Sequence, residues 1–502
     1  MLKIGWAKRN IVTEKAVIIP GQFHMRVSEG VLDPIYVTAL VLDSGDDQVV
    51  FLQSDTVSIA EGVLKQVREK LEGTGIDPMK VILNATHTHA GPLVEKDNVT
   101  AWGVLSEVPH EGYDITPPEE YWDFYINQIC DAIREAFDTR KEGAVSYGYG
   151  FATVAHSRRV VYSKDYSEDL AKPEIIPTIG HTKMYGDTSL DTFSHYEAGT
   201  ESFANFLYTF DKGGKLTGAI VNVPCPSQNS EHEWLLSADY WGDVRQELAK
   251  RYGDIYILPQ CAAAGDLAPR QLHYKKAELR RYRLKFADVK LDERADFPEE
   301  LHRRRDIALR ICDAFDEVYS WASKEKFDDL PLAHTVKSVR LERRVATDEE
   351  YALAKAEKAR EKLELIHTGD RRKDLMHNSI AIMGKRFKTI IDRYEAAQED
   401  PEIAEELHFI RLGNIAFATN PYELYMDYQH RMQARSPFEQ TFIVQLCGQP
   451  HRGSGTYLPT ERGVWGVGYS ATKMCNLVSP AGGQKLVEET VAELKKLWEA
   501  EK

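Results

Sequence analysis

Nine runs of apolar, largely β-branched residues, at 36–42, 48–53, 80–85, 145–150, 216–223, 254–260, 333–342, 407–418 and 440–447, alternate with long stretches of helical periodicity. The helical pattern predicts helices over 59–73, 118–139, 237–252, 273–286, 297–325, 348–366, 372–398 and 481–501, several of them opening on a proline or a capping serine. This alternation restricts the chain to an α/β (or α+β) protein whose mixed sheets are covered by helices. The runs 36–42 and 48–53 flank the short polar segment Ser44-Gly45-Asp46-Asp47 and predict a hairpin. No repeat of 20 to 50 residues and no Pro- or Gly/Ser-rich linker divides the sequence. One large domain over 1–502 is therefore expected. Residues 270–398 are dense in Lys, Arg, Glu and Asp, which reads as a helical insertion at about 270–398 or as ordinary solvated helix faces.

Composition removes several function classes. The 502 residues carry a formal charge of −15, which argues against nucleic acid as a partner because phosphate binding needs a basic footprint. No apolar stretch approaches the roughly 20 residues that span a bilayer, and the start MLKIGWAKRN lacks a secretory apolar region. A cytoplasmic chain with no stable membrane association is expected. The six cysteines are widely spaced without a C-x-x-C pair, which reads as reduced thiols.

The sharpest local feature is Asn84-Ala85-Thr86-His87-Thr88-His89-Ala90-Gly91-Pro92, directly after an apolar run. If the strand continues into it, the i, i+2 spacing places both imidazoles on one face, as a metal or acid/base site requires. The alternative is a pair of ordinary loop histidines. Three further runs end in small or polar residues, where open α/β sheets place ligands. They lead into Pro224-Cys225-Pro226-Ser227-Gln228, followed by Glu231-His232 and Ser237-Ala238-Asp239; into Cys261-Ala262-Ala263-Ala264-Gly265-Asp266-Leu267-Ala268-Pro269-Arg270; and into Pro421-Tyr422-Glu423-Leu424-Tyr425. Backbone amides of the small-residue loop around Gly265 and Asp266 could approach a substrate. Asp55 and Asp266 more often cap a turn or orient a ligand than perform chemistry. His24, His110, His181 and His195 lie in polar segments and read as solvated loop histidines.

In this order the segments resemble the neutral/alkaline non-lysosomal ceramidase family of zinc-dependent amidases, over about residues 3 to 475. The family's T-H-T-H-S-G-P is matched by Thr86 to Pro92, with Ala90 in place of Ser. Its H-P-T-S and S-x-D are matched by Cys225-Pro226-Ser227 with Ser237 and Asp239, and its G-D-V-S-P by Gly265 to Pro269. Its P-G-E with a basic pair is matched by Pro421-Tyr422-Glu423 with His430-Arg431, and its Y-V-T-T by Tyr457-Leu458-Pro459-Thr460, with Tyr469 twelve residues on. The resemblance implies a ceramidase-like fold and a Zn2+ site whose ligands map to His87, Cys225, Glu423 and Tyr457. Where the family has imidazole this chain has the Cys225 thiol, so three readings stay open: a thiolate ligand, His232 taking its place, or a small buried cysteine. The resemblance further implies transition-state roles for His89 and Tyr469, and for an arginine that maps to Arg158, with Arg159 in reserve; the competing reading of either arginine is a surface cation. Ala268 stands at the family's serine, so no hydroxyl is offered there and metal-activated water is the expected nucleophile.

The expected function is zinc-dependent hydrolysis of an amide, or of an ester, in a small soluble substrate. Family members that act on ceramide are typically exported and carry a C-terminal β-sandwich, whereas this sequence ends in one helix soon after Tyr469, so ceramide itself is not the expected substrate. Ester or glycoside hydrolysis on the same scaffold, and a catalytically silent metal- or ligand-binding protein, are the alternatives. A homo-oligomer is left open.

Overall fold

The computed structural model describes residues 1–96, 113–170, 178–362, 364–383 and 387–500. His110 lies outside them. The principal sheet has eight strands: β1 (Lys3–Asn10), β2 (Tyr36–Asp43), β3 (Gln48–Ser54), β4 (Val81–Ala85), β5 (Lys141–Phe151), β6 (Phe203–Asp211), β7 (Leu216–Val223) and β8 (Tyr256–Cys261), in the order β8-β7-β6-β5-β1-β2-β3-β4. It is antiparallel through its middle and parallel at both edges, where β3 pairs with β4 and β7 with β8. Each parallel step needs a crossover, and helices Val63–Leu71 and Tyr240–Tyr252 supply it. A second mixed sheet follows, for which the further strands are β9 (Leu332–Glu342), β10 (Glu402–Leu412), β11 (Ile415–Thr419), β12 (Tyr422–Leu424), β13 (Gln440–Val444) and β14 (Thr456–Leu458). Its order is β9-β10-β11-β13, with β11 parallel to β13 across helix Met426–Arg435, while β12 and β14 form a small parallel ladder.

The period-2 alternation of the strands makes four layers. In β2, Ala39 and Val41 face a core closed by helix Pro118–Asp138, whereas Leu40 and Leu42 face the second sheet. Phe51 meets Phe417 between the sheets, ring centroids 5.0 Å apart. The outer face of the second sheet is covered by helices Met426–Arg435 and Pro480–Glu499. Helix, sheet, sheet, helix is the mixed α/β architecture expected from the alternating pattern.

The hairpin between β2 and β3 forms as expected, with Ser44 N donating to Asp47 O. Other details differ. The run 407–418 is two strands of a hairpin, because Gly413 takes φ 60° and turns the chain. The expected helix 372–398 is two helices, Arg371–Met383 and Phe387–Glu399, on either side of residues outside the description. Strands β1 and β6 were not anticipated: β1 carries Lys3, Lys8 and Arg9 at its ends, and β6 is rich in aromatics with Asn and Thr between them. All six cysteines are free and five are buried. Among the described residues no helix is long and apolar enough to cross a membrane.

Candidate active site

The carboxyl ends of β3, β4, β7, β8 and β11 open toward one region, where a mixed sheet with parallel edges leaves a crevice. After β4 the strand does not continue. His87 takes φ 64°, a left-handed backbone that costs a non-glycine residue about 1–3 kcal/mol. Strand alternation therefore does not align the two imidazoles, contrary to the expected i, i+2 geometry. The loop is held instead by bonds from Thr86 N to Ser54 O (2.9 Å), His87 N to Thr56 O (3.1 Å), Thr88 Oγ1 to Ser237 O (2.7 Å) and His89 N to Ser227 O (3.2 Å). The rings still converge, edge to face, with centroids 4.8 Å apart.

Hydrogen bonding sets the tautomers. Nδ1 of His87 is 2.7 Å from Val57 O, and a carbonyl only accepts, so Nδ1 carries a proton and Nε2 is the ring nitrogen turned toward Glu423. The Gln228 amide has Oε1 3.3 Å from Arg158 Nη1, a group that only donates, so its NH2 faces His89 Nε2 at 2.8 Å. His89 then carries its proton on Nδ1. Burial, with His87 and the guanidinium groups of Arg26, Arg158 and Arg270 nearby, holds His89 well below the ordinary imidazole range.

The Nε2 atoms of His87 and His89 face each other at 3.3 Å, that of His89 also accepting from the Gln228 amide, and His87 Nε2 lies 3.4 Å from Glu423 Oε2. Donors placed about 2.0–2.1 Å from a tetrahedral ion stand about 3.3–3.4 Å from one another. The two spacings from His87 Nε2, to His89 and to Glu423, and the donor chemistry are those a zinc ion takes. Among the described residues no group of three or more His, Cys, Asp or Glu side chains is placed to hold a metal ion. Here the Gln228 amide is seated on His89 and the Arg158 guanidinium stands 3.5 Å from Glu423 Oε2.

Glu423 and Tyr457 are register partners in the β12–β14 ladder, which sets their side chains next to each other. Gly265 backs them: a Cβ there would lie 2.3 Å from Glu423 O. Arg158 Nη2 donates to Gly265 O (2.9 Å) and Tyr457 Oη (3.2 Å), and its Nε is buried without a partner. Burial pushes the Tyr457 phenol well above its usual range, so it is a proton donor.

These groups border a cavity of about 930 Å³. His87, His89, Arg158, His232, Glu423, Tyr457 and Tyr469 line it. Cys225 does not: it is fully buried in the helix-side core, its thiol facing Val154 O at 3.4 Å and pushed well above the usual range by burial. Gly265 and Asp266 stand behind the wall, where Asp266 accepts from Met426 N. Arg159 is buried with Glu197 and donates to the Tyr469 and Val467 carbonyls, so it holds the segment that carries Tyr469. Asp55 ties Arg245, Gln53 and Tyr36 N together beneath the loop. The sequence reading did not single out Gln228, Glu231 or Arg270, which also line the cavity. Their signal was position, since all three lie in the segments that follow β7 and β8.

No family model and no curated sequence matches this chain. Among solved structures it is similar to a ceramidase complexed with C2, at 15% identity and TM-score 0.65, over 99% of this chain and 75% of that one. It is also similar to the neutral ceramidase from Pseudomonas aeruginosa, at 17% identity and TM-score 0.63, with the same coverage. The likeness is one of fold: the chain has a ceramidase-like fold.

Proposed function

We propose that this chain is a zinc-dependent hydrolase of a linear amide in a small-molecule substrate. The observation that carries the reading is the convergence of the His87 and His89 Nε2 atoms beside the Glu423 carboxylate, on the wall of the cavity. His87, His89 and Glu423 would hold the ion, with Tyr457 next to them as a fourth donor. Cys225 and His232 are left out of the ligand set. Zinc supplies Lewis acidity, which polarises a carbonyl and makes water a stronger acid. The ceramidase-like fold supports an amide as the bond attacked.

The remaining chemistry belongs to side chains. Arg158, fixed by Gly265 O, directs its charge to where a carbonyl oxygen would become negative. Tyr469, whose ring meets Tyr457 at 5.7 Å between centroids and Phe23 at 5.3 Å, stands on the wall leading outward and would protonate the departing amine. Ala268 offers no hydroxyl, which leaves water as the nucleophile.

The test is turnover by zinc-replete and chelator-stripped protein on matched amides, esters and glycosides. Amide cleavage that vanishes on stripping and returns with zinc is expected. Stoichiometric zinc without turnover of any amide would overturn the hydrolase and favour a ligand-binding protein.

A further inference from the structure

A buried polar relay crosses the junction between the two sheets. His334 on β9 and His408 on β10 are both buried, and His334 Nε2 lies 2.9 Å from His408 Nδ1. The relay ends on Gln48 O of β3, 3.2 Å from His334 Nδ1, and on Glu406 Oε1, 3.2 Å from His408 Nε2. Both ends only accept. Gln48 offers a backbone carbonyl, and Glu406 is a carboxylate whose two oxygens Arg68 grips at 2.7 and 3.0 Å. Burial pushes the Glu406 carboxyl up, but His408 and Arg68 outweigh it and hold it down to about 2. Two neutral imidazoles bring two N–H groups to three contacts, so one contact of the neutral relay sets acceptor against acceptor. The charges around the rings come from both sheets. Lys80, just before β4, donates to His334 O and pairs with Asp47 at 3.0 Å; Asp47 also accepts from His334 N at 2.7 Å. Arg68 comes from helix Val63–Leu71 and Glu406 from β10, while Thr419 of β11 adds a neutral contact, accepting from His408 N at 2.9 Å.

We propose that His334 and His408 form an acid switch in the sheet junction: the relay takes up one proton shared by both rings, which turns all three contacts into hydrogen bonds and leaves one further positive charge between the sheets. Interacting rings of this kind titrate as a pair, not as two residues. Burial and the charges of Lys80 and Arg68 hold both rings below the ordinary imidazole range, against the Glu406 carboxylate. The folded chain therefore holds this proton less tightly than the unfolded one. The stability contributed by the neutral relay is complete above about pH 6.5 and is lost as pH falls through the folded midpoint. Acid thus loosens the packing that joins the first sheet to β9 and β10. None of these groups lines the cavity, so the switch is independent of what the cavity holds.

Glu406→Gln separates the switch from simple burial of two histidines. Its amide keeps an oxygen for Arg68 and turns an NH2 toward His408 Nε2, so two protons on the rings suffice to fill all three contacts. Parent and variant are labelled with 15N-histidine, the two rings are assigned with His334→Gln and His408→Gln, and multiple-bond 1H–15N spectra follow the ring nitrogens from pH 8 to the acid limit of the folded chain. In the parent, one step common to both rings is expected, with a single midpoint below about 6.5. In Glu406→Gln both rings are expected to stay neutral over that range, each with its proton on Nδ1. The urea midpoint is expected to fall less from pH 7 to pH 5 in Glu406→Gln than in the parent. Two separate steps, no step before the parent unfolds, or the parent's step retained in Glu406→Gln would overturn the proposal, as would an equal fall of the two urea midpoints. Should Glu406→Gln fail to fold, the parent spectra decide alone: one shared step upholds the switch, and two steps or none overturn it.

Discussion

Single residues divide into those at the cavity and those that sequence motifs alone would have put there. Tyr469→Phe removes a proton donor and no ion ligand, so kcat/KM is expected to fall roughly 100-fold with zinc content intact; unchanged turnover would remove Tyr469 from the chemistry. Cys225 illustrates the second group. Its thiol packs in the core against Val154 O, so Cys225→Ser is expected to retain zinc and lose about 1–2 kcal/mol of stability, read by elemental analysis and thermal melts. Loss of zinc there would return the residue to the ligand set. Asp266 yields a pH dependence. Burial pushes its carboxyl up to about 6, so the folded chain binds this proton more tightly than the unfolded one. The stability it contributes is complete below about pH 4 and is lost as pH rises through 6, up to about 3 kcal/mol. Asp266→Asn should therefore gain stability relative to the parent from pH 4 to pH 7; a constant difference would contradict this.

Elements show why some of the site was legible and some was not. Strand ends followed by small or polar residues marked the right crevice, and His87, His89, Arg158, Glu423, Tyr457 and Tyr469 do meet around one cavity. The orientation of side chains after a strand ends was not legible. Strand geometry applied past Ala85 misdescribes the His87 loop, whose left-handed turn is set by distant acceptors at Ser54, Thr56 and Ser227. Past Val223 the chain turns Cys225 inward and Gln228 outward, a choice that depends on Val154 and Arg158, each about 70 residues away in sequence. Glu231 and Arg270 escaped because charged loop residues are usually solvated, whereas their pairing with each other and with Gln22, Gln228 and Glu300 keeps them at the wall. The Gly265 loop gives the element-scale prediction. In Gly265→Ala the new Cβ must displace the Glu423 backbone, an overpacking cost of about 1–3 kcal/mol that also moves the carboxylate. A lower melting temperature with weakened zinc binding is expected; a variant with the parent's zinc affinity would show that β12 tolerates the shift.

At the scale of the whole molecule, two mixed sheets packed face to face between helical layers hold the first sheet's strand ends against the β12–β14 ladder of the second. His87 and His89 come from one side of that junction and Glu423 and Tyr457 from the other. Neither half alone supplies the donor set, so the ion seat depends on the packing of Phe51 and its neighbours against Phe417. We propose that this junction holds zinc on His87, His89 and Glu423. The most direct test is an anomalous-difference map at the zinc edge from crystals of zinc-supplemented protein. One strong peak is expected about 2.0–2.2 Å from His87 Nε2, His89 Nε2 and a Glu423 oxygen; a zinc peak on Cys225, or zinc bound elsewhere with this seat empty, would contradict the proposed ligand set.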